Sequence, residues 1–265
     1  DVQHHYDLGN EFYSLWLDET MSYSCAYFKT LDDTLYQAQL QKIDHVLGKL
    51  QLKAGERLLD IGSGWGWLII RAAQRYGVKA LGITLSEEQY KKTKERIKEL
   101  GLEGQVDVEL AHYQELSSTK YKFDKIASVG MFEHVGQEHY PAFMKKVDEL
   151  LEDKGLMLLH TITQLKEQPV SPWIDKYIFP GGYIPSLREI INLLPDYDFH
   201  VIDVESLRMH YAYTLDKWLE NFERHREKVA AMYGERFVRM WRVYLSFSAA
   251  TFRYRGLNIH EMLFS

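Results

Sequence analysis

Arg57-Leu58-Leu59-Asp60-Ile61-Gly62-Ser63-Gly64-Trp65-Gly66 is the stretch whose reading decides the fold. A short apolar strand ends in Asp-Ile-Gly, glycines follow at every second position, and a helix-like run over 67–76 comes next. A strand that turns sharply into a helix and lets a ligand touch its backbone needs Gly, for both the backbone angles and the close approach. The helix start then offers unpaired N–H groups to that ligand. The spacing is G-x-G-x-G rather than the G-x-G-x-x-G of dinucleotide sites. Glycines after a strand also make plain turns; the order strand, loop, helix favours a ligand loop.

Composition narrows the class. The chain has 265 residues, 46% of them apolar, enough for a sizeable core. Eighteen Tyr suit an apolar tunnel, although large cores also use them. A net charge of −6 argues against nucleic acid as the main partner. A single cysteine, Cys25, rules out an internal disulfide and fits a reducing cytoplasm. No apolar run approaches the roughly 18 residues of a membrane span, and no signal peptide is visible. The chain opens at Asp1 rather than Met, so upstream sequence is expected, and a lipid-binding domain there would fit. No pattern fixes the oligomeric state, and a homodimer stays open.

Alternating patterns outside the loop predict a parallel α/β sheet. Strands are expected over 57–61, 79–84, 106–110, 123–129, 156–162, 200–207 and 259–264. Helices are expected over 34–50, 67–76, 86–100 (with a capping box from Ser86 and Gln89), 139–151, 215–233 and 236–254, and helix and turn over 1–19. His4 and His5 are adjacent, so one helix face cannot aim both at a metal, and no metal is expected. Chemistry in such sheets gathers at the carboxyl ends of strands. Those ends carry Thr84, Leu85 and Gln89; Tyr113 and Gln114; Val129 and Glu133; and His160 with Ile162. A carboxylate such as Glu133 in an apolar setting is costly unless paired or used, and it could simply bond a loop amide. A lone His160 is more often a satisfied structural residue. The aromatic loop over 168–183 is too long for a plain link and reads as a lid or substrate wall. Arg236, Arg239 and Arg242 recur every third residue, either as a solvated face or as a contact for anionic headgroups.

The loop Leu59 to Gly66, the run Tyr23-Ser24-Cys25-Ala26-Tyr27-Phe28, the stretch Gly130-Met131-Phe132-Glu133-His134-Val135-Gly136 and Phe179-Pro180-Gly181-Gly182 together resemble the cyclopropane-fatty-acyl-phospholipid synthase family. That family includes the mycolic acid cyclopropane synthases and belongs to the class I S-adenosylmethionine-dependent methyltransferases. The resemblance covers essentially the whole chain, including His4-His5-Tyr6-Asp7-Leu8-Gly9-Asn10. It implies a Rossmann-like seven-stranded sheet, mostly parallel with the last strand antiparallel, helices on both faces and a helical cap. It implies one catalytic domain over 1–265, with 1–50 as a lid and 163–185 and 208–256 as insertions over a lipid site.

By the same resemblance the cofactor is S-adenosylmethionine, held by Tyr23, Ser24, Asp60, Gly62, Gly64, Gly66, Thr84, Leu85, Gln89, Tyr113, Gln114 and Val129. A bicarbonate ion is implied as the base, held by Glu133, His160, Tyr211 and the backbone at Cys25 and Ile162. The implied substrate is a cis-unsaturated acyl chain of membrane phospholipid, methylated at the inner membrane surface and closed to a cyclopropane. Two positions depart from the family. Ser63 and Ser248 stand where many members carry Cys, and the second departure argues against a covalent cysteine mechanism. Methylation of a small-molecule amine or hydroxyl, methyl-branched or hydroxylated lipid products, and an inactive lipid-binding protein are the competing expectations. A nicotinamide dehydrogenase is disfavoured by the glycine spacing and by Thr84, which ends the second strand where most nucleoside-binding folds place an acid for the ribose hydroxyls.

Overall fold

The strand that leads into the glycine loop, β1 (Arg57–Ile61), lies mid-sheet with four of its five residues buried. A strand covered on both faces must be apolar along its length, and Leu58, Leu59 and Ile61 meet that need. The computed structural model describes residues 8–254 and 256–265; His4, His5, Tyr6 and Asp7 lie outside the described residues.

Around β1 the sheet is completed by β2 (Lys79–Thr84), β3 (Val106–Leu110), β4 (Phe123–Val129), β5 (Leu151–Thr163), β6 (Val201–Ser206) and β7 (Asn258–Phe264). Their order is β3-β2-β1-β4-β5-β7-β6. The first five in this order run parallel, and β7 runs antiparallel to both β5 and β6. The chain therefore has the seven-stranded, mostly parallel sheet of class I S-adenosylmethionine-dependent methyltransferases, with the last strand reversed.

Helix α1 (Asn10–Ser14) precedes α2 (Leu35–Lys49), which opens on a complete capping box from Thr34 and Gln37. Helix α3 (Trp67–Tyr76) follows the glycine loop, and α4 (Glu87–Glu99) follows β2. Ser86 caps α4 through the Gln89 N–H, but the box is not closed, because the Gln89 side chain turns to Thr84 instead. Helix α5 (Tyr140–Leu150) ends directly in β5. That strand starts five residues before the expected position, and its Gly155 stands at an irregular register with β4. Helices α6 (Pro172–Tyr177) and α7 (Leu187–Leu193) lie in and after the aromatic loop. After β6 come α8 (Arg208–Arg224), α9 (Arg226–Tyr233) and α10 (Glu235–Arg253). Helix α8 begins seven residues earlier than the periodicity suggested, so Tyr211 sits in its first turn.

Two cores flank the sheet. Helices α2 and α3 bury Ile43, Val46, Leu47, Ile69 and Ile70 on one face, and α5 buries Phe143, Met144 and Val147 on the other. A third core is aromatic and ties the N-terminal segment to α8 and α10 through Phe12, Trp16, Trp218 and Trp241. Trp16 meets Trp218 edge-on at 5.5 Å and Trp241 at 5.6 Å. Truncating one such buried ring to Ala costs about 3–5 kcal/mol. This core roofs the carboxyl edge of the sheet.

Candidate active site

A cavity of about 310 Å³ opens at the carboxyl ends of β1, β2 and β4. Its walls include Tyr23, Ser24, Asp60, Gly62, Gly64, Thr84, Leu85, Gln89, Tyr113, Gln114 and Val129. Eleven of the twelve residues assigned to the cofactor from sequence thus converge. Gly66 is not in the wall, and its requirement for Gly is a packing one. A Cβ there would come within 2.3 Å of Thr93 Cγ2 on α4, and φ is +83°. At Gly62 a Cβ would meet Met131 Cγ at 2.7 Å, also with φ +83°. Gly64 differs, since φ is +54° and a Cβ would meet nothing within 4 Å, so the loop is open there. The Tyr113 ring is buried and packs against Phe143 at 5.3 Å and His112 at 4.3 Å.

The floor of this cavity is charged. Asp60 is buried, its Oδ1 has no hydrogen-bond partner among the described residues, and burial pushes its carboxyl up to about 7. Lys42 of α2 is 2% exposed and its Nζ donates to Ser24 Oγ at 2.5 Å. Burial holds the Lys42 ammonium down to about 8, against the pull of nearby Cys25, Asp18, Glu261 and Asp60. A carboxyl and an ammonium in one floor suit the amino and carboxyl groups of an amino-acid moiety. Sequence reading missed Lys42, because a Lys on an amphipathic helix reads as part of the solvated face.

A second cavity, of about 130 Å³, adjoins the first. Tyr23, Gly130 and His134 line both. Its wall is largely apolar (Val170, Ile174, Phe179, Leu215, Phe247 and Phe252), with Glu133, Ile162 and Tyr211 set into it. The aromatic loop supplies part of this wall, and Ser248 contributes to it too. The Tyr23 and Tyr244 hydroxyls lie 2.9 Å apart near the junction.

Glu133 meets the structural one of the two expectations set out for it. Its Oε1 accepts from the Ile162 N–H at 2.7 Å, which is the structural use. Its Oε2 is buried with no hydrogen-bond partner among the described residues, and burial raises the carboxyl above its ordinary value. The Ile162 amide assigned to an ion is thus engaged by Glu133 in this structure. His160 is fully buried and lines neither cavity. Its Nδ1 lies 3.0 Å from Glu261 Oε1, and its Nε2 has no partner among the described residues. Cys25 is fully buried, its thiol donates to the Ala26 carbonyl at 3.3 Å, and burial pushes it up, so it is no nucleophile. The Tyr211 ring packs on Phe252 at 4.5 Å.

Comparison with known proteins follows the same lines. A family model described as mycolic acid cyclopropane synthetase matches residues 1–262. The cyclopropane-fatty-acyl-phospholipid synthase of Escherichia coli (strain K12) is 43% identical over 262 residues, covering 98% of this chain and 66% of that protein. The chain therefore spans just under two thirds of that relative's length. The structure of cyclopropane synthase MmaA2 from Mycobacterium tuberculosis matches with a TM-score of 0.94 at 35% identity, covering 99% of this chain and 96% of that one. Mycolic acid cyclopropane synthase CmaA1, complexed with SAH and CTAB, matches with a TM-score of 0.93 at 37% identity, with 99% and 96% covered.

Proposed function

This chain belongs to the mycolic acid cyclopropane synthetase family of S-adenosylmethionine-dependent methyltransferases, and from that premise we propose that it cyclopropanates cis double bonds in acyl chains of membrane phospholipids. The observation that carries the reading is the junction of the two cavities: an apolar slot meets the cofactor cavity at Tyr23, Gly130 and His134, beside the buried Glu133. Bound S-adenosylmethionine supplies an electrophilic methyl on a sulfonium, so the protein needs no nucleophile of its own. Asp60 and Lys42 would hold its amino-acid end, the open backbone at Gly64 would lie against it, and Thr84, Leu85, Gln89, Tyr113 and Gln114 would hold the nucleoside.

The slot's task is to seat the alkene against the methyl and keep water out while positive charge develops on the acyl chain. Tyr23, Phe179, Tyr211 and Phe252 present ring systems there, and ring faces favour a cation. A proton must then leave the new methyl for the ring to close. A bicarbonate ion, when bound, would supply that base. Two buried polar atoms without partners, Glu133 Oε2 and His160 Nε2, fit such an ion. Burial strengthens the hold of the Glu133 carboxyl on its proton; when protonated it can donate to an oxyanion, and a neutral imidazole can accept its hydroxyl. Tyr211 and the Cys25 and Ile162 backbone complete the proposed set, with the Ile162 N–H shared between Glu133 and the ion.

The reading extends to the membrane surface. Among the described residues no helix is long and apolar enough to cross a bilayer. On α10, exposed Arg236 and Arg239 share a face with Val243 and Phe247, about half exposed, and Phe247 also lines the slot. A basic and apolar rim beside the slot suits an anionic lipid surface from which an acyl chain enters. The base is tested by depleting bicarbonate from the assay. Turnover should fall and return on adding the ion; turnover that ignores the ion would overturn this part of the reading.

A further inference from the structure

Glu261 is an acid in the middle of the last strand, fully buried, yet no role in substrate or cofactor binding falls to it. The antiparallel register of β5 and β7 places it opposite His160. Its Oε1 meets His160 Nδ1 at 3.0 Å. Its Oε2 faces α2, with Lys49 Nζ at 3.4 Å and His45 Nε2 at 3.6 Å. Both side chains reach on to Glu205 Oε2 at 2.6 Å, and Lys49 reaches Asp203 Oδ2 at 2.8 Å. Glu205 and His45 are partly exposed. A continuous chain of charged groups thus runs from the buried imidazole to solvent.

His45, Glu205 and Glu261 lie close enough to hold a metal ion. The Lys49 ammonium sits among them and already supplies the positive charge. The cluster therefore has a different use. Burial pushes the Glu261 carboxyl up, but the His160 hydrogen bond and the charges of His45 and Lys49 outweigh it, so Glu261 stays ionised. Burial keeps His160 neutral. An ionised carboxylate only accepts, so the hydrogen between the two belongs to His160 Nδ1.

We propose that Glu261 is a positioning residue: it locks His160 in the tautomer with hydrogen on Nδ1 and a lone pair on Nε2, and Lys49 and His45 tie that lock to the protein surface. The inference deepens the proposed function, since it assigns the group that makes His160 Nε2 an acceptor at the base site. A surface network that fixes a buried imidazole through its far nitrogen resembles the carboxylate–histidine arrangements that orient other reactive histidines. His45 is itself held in place, stacked on Tyr27 at 4.3 Å, with Tyr27 stacked in turn on His210 at 4.6 Å.

The test is nitrogen NMR of histidine-labelled protein without cofactor or lipid. Wild type should show His160 protonated at Nδ1 only, and Glu261→Met should show the Nε2–H form. An Nε2–H form in wild type, or no change in Glu261→Met, would overturn the proposal. Should Glu261→Met not fold, Glu261→Gln carries the test: the downfield Nδ1–H proton of a charge-assisted bond should move upfield, and an unmoved proton would overturn it. In turnover, Glu261→Gln should lose about 10- to 100-fold with cofactor affinity kept. Lys49→Met should shift the acidic limb of the pH profile to higher pH. The groups facing Glu261 are Cys25 of the N-terminal segment, Lys42, His45 and Lys49 of α2, His160 of β5, Asp203 and Glu205 of β6, and His210 of α8; Lys49→Met removes the nearer of the two groups at its Oε2. An unshifted limb would overturn the link to the surface. The NMR result does not depend on the reaction, so failure of the proposed function, seen as absent product from wild type, is distinguishable from failure of this inference.

Discussion

The backbone N–H of Ile162 donates to Glu133 Oε1 at 2.7 Å, and the other carboxylate oxygen of Glu133 is left buried without a partner among the described residues. One oxygen anchors the side chain, and under the proposed function the second meets the bound ion. Glu133→Gln keeps the shape and the anchor but cannot present both protonation states. Turnover should fall by about 10²–10⁴, while cofactor affinity by calorimetry stays within about twofold of wild type. The same substitution has a stability signature. The folded-state value of Glu133 is raised by burial, so its contribution is present below the ordinary value of 4.5 and lost as pH rises above it. Thermal melts should show Glu133→Gln gaining on wild type at pH 8 and not at pH 4.

Asp60, pushed up to about 7, and Lys42, held down to about 8, face the same cavity. Cofactor affinity should tighten as pH rises through about 7, when Asp60 gains its charge, and weaken above about 8, when Lys42 loses its own. Calorimetry from pH 5.5 to 9.5 should trace a bell, and Asp60→Asn should flatten its acidic limb. Because the raised Asp60 value stabilises the fold fully only below 3.8 and no longer above about 7, Asp60→Asn apoprotein should outlast wild type at pH 8.

Gly64 and Gly66 separate binding from folding. A Cβ at Gly64 meets no protein atom, so Gly64→Ala should cost about 1 kcal/mol of stability from its positive φ alone and should weaken cofactor binding by obstructing the backbone approach. Gly66→Ala drives a Cβ to 2.3 Å from Thr93 Cγ2. It should destabilise by about 2–4 kcal/mol in denaturant melts, and Thr93→Ser, which removes that methyl, should recover part of the loss.

The basic face of α10 divides. Arg242 forms a forked pair with Glu223, with its Nη2 at 2.6 Å from Oε2. Arg236 and Arg239 are exposed and make no ion pair among the described residues. Changing Arg236 and Arg239 together to Glu should weaken binding to anionic vesicles by at least about 2 kcal/mol, roughly 30-fold at low salt. Arg242→Glu should act mainly on stability. Vesicle sedimentation beside a melt distinguishes the two.

The cofactor half of the site was legible because its determinants are local. Strand, glycines and helix follow one another from Arg57 to Tyr76, and each later strand end carries its own polar residues. What depends on distant pairing was not legible. Lys42 is buried only because the N-terminal segment folds Ser24 over it. Glu261 gains its meaning from the β5–β7 register, which no local pattern reveals. The early start of β5 was hidden by the run over 152–155, where the register with β4 shifts between the Leu151 and Leu156 pairs. Tyr211 was expected after β6 and is placed by α8, whose first turn packs it on Phe252.

The most direct measurement is mass spectrometry of lipid after incubating the protein with S-adenosylmethionine and vesicles of cis-unsaturated phospholipid. The account predicts an acyl chain heavier by one CH2 and inert to alkene-specific reagents. A cofactor-binding protein that leaves the lipid unchanged, or adds CH2 while the alkene survives, would contradict it.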